Sequence, residues 1–199
     1  MDKTTAINNL IERIAVIHRS TKEPLNKNIY RGHSRSISTD IEDSVALLLS
    51  ELLPENYSFM LDPSIYVNGK NNRPDLLVLN ESNDVVAMIE IKANMGWCRN
   101  ASSVLNDIIF NDKQFKEANN LWCEISNGDN REITYSDGVE LFLVSLTDGN
   151  CAESRHKTNR EFADSIGVKH YLLFSGWYGD LRERDVEQFA DEILSLVRC

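Results

Sequence analysis

The sequence predicts an α/β domain in which a central mixed β-sheet is flanked by helices. Two observations carry this. Stripes of apolar residues at helical spacing open the chain, close it and recur between, and short apolar runs bounded by turn residues alternate with them. In order the elements read α, α, β, β, β, α, β, α, β, α, a pattern that buries both faces of one sheet. No internal repeat or linker rich in Gly, Pro and Ser divides the 199 residues, so a single domain is expected.

Residues 4 to 19 place Ile7, Leu10, Ile11, Ile14 and Ile17 on one helical face, with Thr4 or Thr5 as cap. Residues 20 to 38 are polar and basic and read as an exposed connection. A second helix is expected from the capping-box pattern Thr39-Asp40-Ile41-Glu42 and the stripe Ile41, Val45, Leu48, Leu52, ending near Pro54. Three β-type segments follow: Tyr57 to Val67, interrupted by Asp62-Pro63; Asp75 to Leu79; and Val85 to Ala93. Asn68-Gly69 and residues 81 to 84 supply turn material, so these strands read as a meander. Residues 102 to 122 read as helix through Val104, Leu105, Ile108, Ile109 and Phe115, and Gly128-Asp129-Asn130 marks a loop. Val139 to Leu146 is an interior strand, Arg160 to Ile166 a short helix and Lys169 to Phe174 another strand. Arg184 to Val197 closes the chain as an amphipathic helix.

The chain carries 21 basic and 31 acidic side chains, a formal charge of −10. Residues 1 to 37 nevertheless hold seven Lys or Arg against three Asp or Glu. Affinity for a polyanion follows the local field, so the acidic total opposes indiscriminate coating of DNA without excluding a specific site. No apolar run reaches the roughly 20 residues that span a bilayer. The N-terminus lacks a signal-peptide core, and a cytoplasmic protein without a membrane partner is expected. Cys98, Cys123, Cys151 and Cys199 form no close pair of the kind zinc ribbons use and read as reduced thiols. His33 and His156 read as loop histidines. Phosphate-loop, serine-elbow and zinc-helix motifs are missing from the sequence.

The informative segment is Arg73-Pro74-Asp75-Leu76-Leu77-Val78, followed after a turn by Met88-Ile89-Glu90-Ile91-Lys92. Side chains two apart on a strand share a face, so Glu90 and Lys92 project together while Ile89 and Ile91 enter the core. If the two strands pair, Asp75 reaches the end that carries Glu90. Two converging carboxylates with a backbone carbonyl make a hard oxygen site suited to Mg²⁺. Phosphodiester hydrolysis requires such a cation on the phosphate oxygens, an activated water and a stabilised leaving alkoxide, and a lysine beside the metal complements it. A plainer account competes with it at this point. Asp75 is then a turn residue after Pro74, Glu90 and Lys92 an exposed charge pair, and Glu42 the last residue of a capping box.

Pro74-Asp75, fourteen intervening residues and Glu90-Ile91-Lys92 resemble the signature of the PD-(D/E)xK nuclease superfamily, which includes most type II restriction endonucleases. The element order over residues 39 to 146 resembles the family core as well. The resemblance implies a restriction-endonuclease-like fold and a Mg²⁺-dependent endonuclease that hydrolyses double-stranded DNA. It further implies that Asp75, Glu90 and the Ile91 carbonyl hold the metal, that Glu42 completes the site from the preceding helix, and that Lys92 orients or deprotonates the attacking water. A type II restriction enzyme acting as a homodimer is expected. The alternatives are a repair or junction-resolving nuclease, or a non-catalytic nuclease-like binding module. Arg31, His33, Arg35, Arg73 and Arg99 flank the site in sequence and are candidates for DNA contact, with solvated surface charge as the competing account.

Overall fold

The computed structural model describes residues 1–22, 37–94, 101–124, 130–147, 151–174 and 183–198. Helix α1 (Lys3–Lys22) buries Ala6, Ile7, Leu10 and Ile14. Asp2 caps it, accepting the Thr5 N–H at 3.0 Å and the Thr5 hydroxyl at 2.5 Å, so the expected Thr4 or Thr5 cap lies one step inside the helix. Helix α2 (Ser38–Leu52) starts earlier than its capping-box pattern implies. The Ile41 N–H closes the first turn on the Ile37 carbonyl at 3.1 Å. Thr39 is then already helical, no side chain caps the end, and Glu42 is released from a capping role. The helix stops at Leu53, whose extended backbone is what the following Pro54 demands.

The strands are β1 (Ser58–Leu61), β2 (Ser64–Val67), β3 (Lys70–Asn72), β4 (Leu76–Leu79), β5 (Asp84–Asn94), β6 (Asn120–Glu124), β7 (Asn130–Thr147) and β8 (Val168–Leu172), interleaved with α3 (Ser102–Ala118), α4 (Glu153–Ser165) and α5 (Glu183–Ser195). They form one sheet in the order β1-β4-β5-β7-β6-β2-β3, with β8 on the second half of β7. β5, β7 and β8 run parallel, and β1, β4 and β5 form an antiparallel set. The expected meander is thereby corrected. Residues 57 to 67 are two strands at distant positions in the sheet, because Pro63 offers no N–H to continue a ladder and Asp62 turns the chain at φ 46°. β2 and β3 form a hairpin through Asn68 and Gly69, both at positive φ, and β2 pairs with β6.

β1 and β2 are separated by two residues but stand first and sixth in the strand order. Five flat spacings measure about 24 Å at ~4.8 Å each. Three residue steps span at most about 11 Å. The sheet must therefore curl back on itself, and the long strand β7 makes this possible. Val85 pairs with Tyr135 but Ala87 with Glu140, so residues 136 to 139 bulge out and bend the strand. One core lies beneath α1, α2 and α5, against Leu76, Val78, Ala87, Ile89, Ile91, Phe142 and Val144. The other lies beneath α3 and α4, against Leu77, Met88, Leu121, Cys123, Tyr135 and Leu143.

α5 is anchored by Phe189, whose ring meets Phe142 edge-on at 5.9 Å and Tyr171 at 5.5 Å. Phe189→Ala is expected to lower the unfolding free energy by about 3–5 kcal/mol in a urea titration. A loss under 1 kcal/mol, roughly that of a surface change, contradicts this packing.

Candidate active site

β4 and β5 bring the acidic pair and the lysine together. Their register ends at Leu76 opposite Ile89, and buried Pro74 prevents a further ladder bond. The Asp75 carboxylate takes over: its Oδ2 accepts the Ile91 N–H at 2.7 Å and the Lys92 Nζ at 3.3 Å. Lys92 Nζ also donates to Glu90 Oε1 at 2.5 Å. One ammonium thus bridges carboxylates from two adjoining strands. Asp75, Glu90 and Lys92 side chains are 20, 23 and 28% exposed, half sunk at the end of the sheet. Strand alternation puts them on the face of Leu77, Met88 and Leu143, while Ile89 and Ile91 fill the opposite core.

The field is strongly negative. Burial, and after it the Asp75 charge, push the Glu90 carboxyl above its ordinary range, with the Lys92 charge offsetting only part. Glu42 reaches the site from α2, half-buried. Its carboxyl is raised by burial, then by the charges of Asp75 and Asp62. Burial works to discharge Lys92, but the charges of Glu90 and Asp75 and its bonds to both outweigh it, so the ammonium is held above its ordinary range. Asp107 on α3 adds a further negative charge toward Glu90.

Asp62 and Asp107, neither proposed from the sequence as a site residue, belong to this neighbourhood. The Asp62 N–H donates to the Asp75 carbonyl at 2.9 Å, and the Asp62 carboxylate pairs with Arg73. Asp62 therefore grips both residues that flank Pro74. In sequence it reads only as part of a strand break, and its role depends on the curl of the sheet. Exposed Arg73 stands at the rim. Arg31, His33, Arg35 and Arg99 lie outside the described residues. His156, expected in a loop, is buried in α4.

Among the described residues no three His, Cys, Asp or Glu side chains are close enough to form a ready-made metal cage. The donor chemistry nonetheless fits Mg²⁺, which keeps several waters and takes one or two carboxylates. Asp75 and Glu90 are such a pair, and the Asp75 charge adds to burial in raising the Glu90 carboxyl. A strand residue directs its N–H and C=O to the same side, so the Ile91 carbonyl faces the Asp75 edge as its N–H does.

A mixed sheet in which β5, β7 and β8 run parallel, with helices on both faces, is a restriction-endonuclease-like fold. The solved structure of P. aeruginosa ATCC27853 NucC in its cAAA-bound form has this fold in common with the chain, with a TM-score of 0.56 over 98% of this chain and 89% of that one. Sequence identity is 11%, so the likeness is one of fold. No protein-family model and no curated protein sequence matches the chain. No helix among the described residues is long and apolar enough to cross a membrane.

The raised Glu90 carboxyl makes stability depend on pH. Below the unfolded carboxylate range both states hold the proton. As pH climbs through that range the unfolded chain ionises first, and the fold loses stability until Glu90 itself ionises. Glu90→Gln keeps an acceptor for Lys92 and removes the charge. In EDTA it is expected to raise the Tm at pH 7, with the gain vanishing near about pH 3. A variant no more stable than wild type at pH 7 in calorimetry contradicts the electrostatic account.

Proposed function

We propose that the chain is a Mg²⁺-dependent endonuclease that hydrolyses phosphodiester bonds of double-stranded DNA, acting as a homodimer of the type II restriction class. The observation that carries the reading is the single Lys92 ammonium bridging Asp75 and Glu90 at the carboxyl end of β5. An exposed charge pair needs no second carboxylate from another strand, and a turn aspartate needs no lysine.

In this reading Asp75, Glu90 and the Ile91 carbonyl hold the ion, with Glu42 completing the site from α2 through water. When bound, the ion supplies Lewis-acid charge to a phosphate oxygen and makes water a better nucleophile. The chain's own residues do the rest. Asp75 is fixed by the Ile91 N–H, so its free carboxylate edge is preorganised. Lys92 keeps its proton on Nζ, which supports a role in orienting water and neutralising phosphate charge over one in proton abstraction. Arg73 provides a cation at the rim for a neighbouring phosphate, and Arg31, His33, Arg35 and Arg99 remain the further candidates for DNA contact from the sequence. One site per chain cuts one strand, so two copies about a two-fold axis serve a palindromic duplex.

The test uses supercoiled plasmid with Mg²⁺. Wild-type protein is expected to give discrete fragments, and EDTA to abolish them. Asp75→Ala and Lys92→Ala should each lower the rate by about 10²-fold or more. Equal cutting by all three proteins defeats the assignment, and fragments that follow DNA structure instead of sequence reassign it to repair or junction resolution. Glu42→Gln is expected to raise the Mg²⁺ concentration needed for half-maximal cutting while leaving the rate at saturating metal within about tenfold of wild type. An unaltered metal requirement removes Glu42 from the site.

A further inference from the structure

A two-stranded hairpin springs from the edge of the proposed active site. β2 and β3 leave from the residues that flank Asp75: the Asp62 N–H donates to the Asp75 carbonyl at 2.9 Å, and Arg73, which follows β3, pairs with the Asp62 carboxylate. The base is clamped there. Only Ser64 and Ile65 of β2 have partners on β6, so Tyr66 and Val67 pair with β3 alone and the outer half of the hairpin is a two-stranded ribbon. Val67 anchors one side of this ribbon in the core beneath α3, and the Lys70 ammonium lies 5.3 Å from the centre of the Phe110 ring on that helix. The tip turns at Asn68 and Gly69, where a Cβ added to Gly69 would meet no atom within 4 Å.

The chemistry of the ribbon suits a nucleic-acid groove. Between Asp62 and Asp75 the sequence holds no carboxylate, while Lys70 and Arg73 carry positive charge in a chain whose net charge is −10. Asn68, Lys70 and Asn71 are exposed. Asn71 stands opposite Tyr66, itself 60% exposed, and strand alternation puts this pair on the side turned away from α3. Among the described residues no hydrogen bond occupies the Asn71 side-chain amide. Such an amide accepts from adenine N6 and donates to adenine N7 at once, a pattern that only the major groove displays. A two-stranded ribbon is one of the few elements that enter that groove. We propose that the outer half of the β2–β3 hairpin reads a base pair in the major groove beside the cleaved phosphate, with Asn71 bonding adenine and Lys70 a backbone phosphate.

This placement rests on the nuclease reading above. Four residue steps separate Asn71 from Asp75, at most about 14 Å of chain. That is about four base-pair steps at ~3.4 Å each, so the amide falls within a short recognition sequence around the cut. Reading and cutting then share one clamp, the bonds of Asp62 to Asp75 and Arg73.

The test uses the full chain with Ca²⁺ in place of Mg²⁺, so that binding is selected apart from cutting. A pool of duplexes of randomised sequence is offered to the protein, and the bound fraction is sequenced. Wild type is expected to enrich a short motif that contains adenine. Asn71→Ala should lower the preference for that adenine by about tenfold or more while the other positions hold. Lys70→Ala should keep the motif, weaken every duplex alike and reduce the salt slope of binding by about one. Both side chains are exposed, so the two variants are expected to keep the wild-type Tm. A wild-type chain that enriches nothing, or an Asn71→Ala chain with an unaltered motif, overturns the assignment. Loss of self-association by either variant in sedimentation also overturns it, because the free edge of β3 then takes a strand from a second copy. Plasmid cutting in Mg²⁺ by wild type against Lys92→Ala reads the nuclease assignment by itself. Cutting without an Asn71-dependent motif removes the hairpin alone, and such a motif without cutting removes the nuclease alone.

Discussion

The Asp75 carboxylate finishes a ladder that the backbone cannot. β4 ends because Pro74 has no N–H to give to the Ile91 carbonyl opposite it, and with the ladder broken there the Ile91 N–H turns to a side-chain acceptor. Asp75 Oδ2 supplies that acceptor at 2.7 Å. The same oxygen also accepts from Lys92. A single atom therefore joins the architecture of the sheet edge to the chemistry of the cluster. This dual use holds the cluster in one arrangement without deep burial. Its rotamer is fixed by a backbone bond, and the lysine is fixed in turn by two carboxylates.

The surrounding charge works against the fold. Glu42, Asp62, Asp75 and Glu90 arrive from α2, the β1–β2 link, the residue before β4 and β5, while Lys92 and Arg73 are the described cations bonded among them. Evolution for stability alone would dilute such a cluster, since each like charge raises its neighbours' carboxyl groups. The chain instead holds it in place with backbone bonds to Asp75 from both Asp62 and Ile91. Asp62 contributes at a left-handed backbone conformation, which a non-glycine residue adopts at some cost. Strain and charge repulsion concentrated in one place are features that function, not packing, accounts for.

The helices were legible because amphipathic spacing is a local property, and four of the five occur where stripes are visible; α4 begins at Glu153, seven residues before the expected Arg160, because its polar first half shows no stripe. Their ends were less so. The stripe through Phe115 runs on to Leu121, but Asn119 stops α3 at φ 60°, and residues 120 to 124 alternate as a strand. The β6–β7 hairpin and the placement of β2 and β3 escaped the sequence because strand partnership is non-local. Nothing near Asp62-Pro63 states that its two sides belong to opposite ends of a sheet. The arrangement of Asp75, Glu90 and Lys92 was legible for the opposite reason: it needs only period-two alternation and one tight turn. Whether Glu42 faces that cluster, and that Asp62 grips its flanks, depends on how α2 and the curled sheet meet.

β7 ties these levels together. Its first part pairs with β6 and carries the lobe that curls over α3, and its last part lies between β5 and β8. The bulge at residues 136 to 139 separates the two duties. A change in the β6–β2–β3 lobe can then alter the outer surface without moving the register of Lys92 against Ser145. The reverse does not hold. A slip of one residue in the second part of β7 would turn Ser145 into the core and bring Val144 out beneath the lysine. The second half of this strand is therefore the frame on which the Lys92 cluster is mounted, and the bulge leaves the rest of the strand free to diverge.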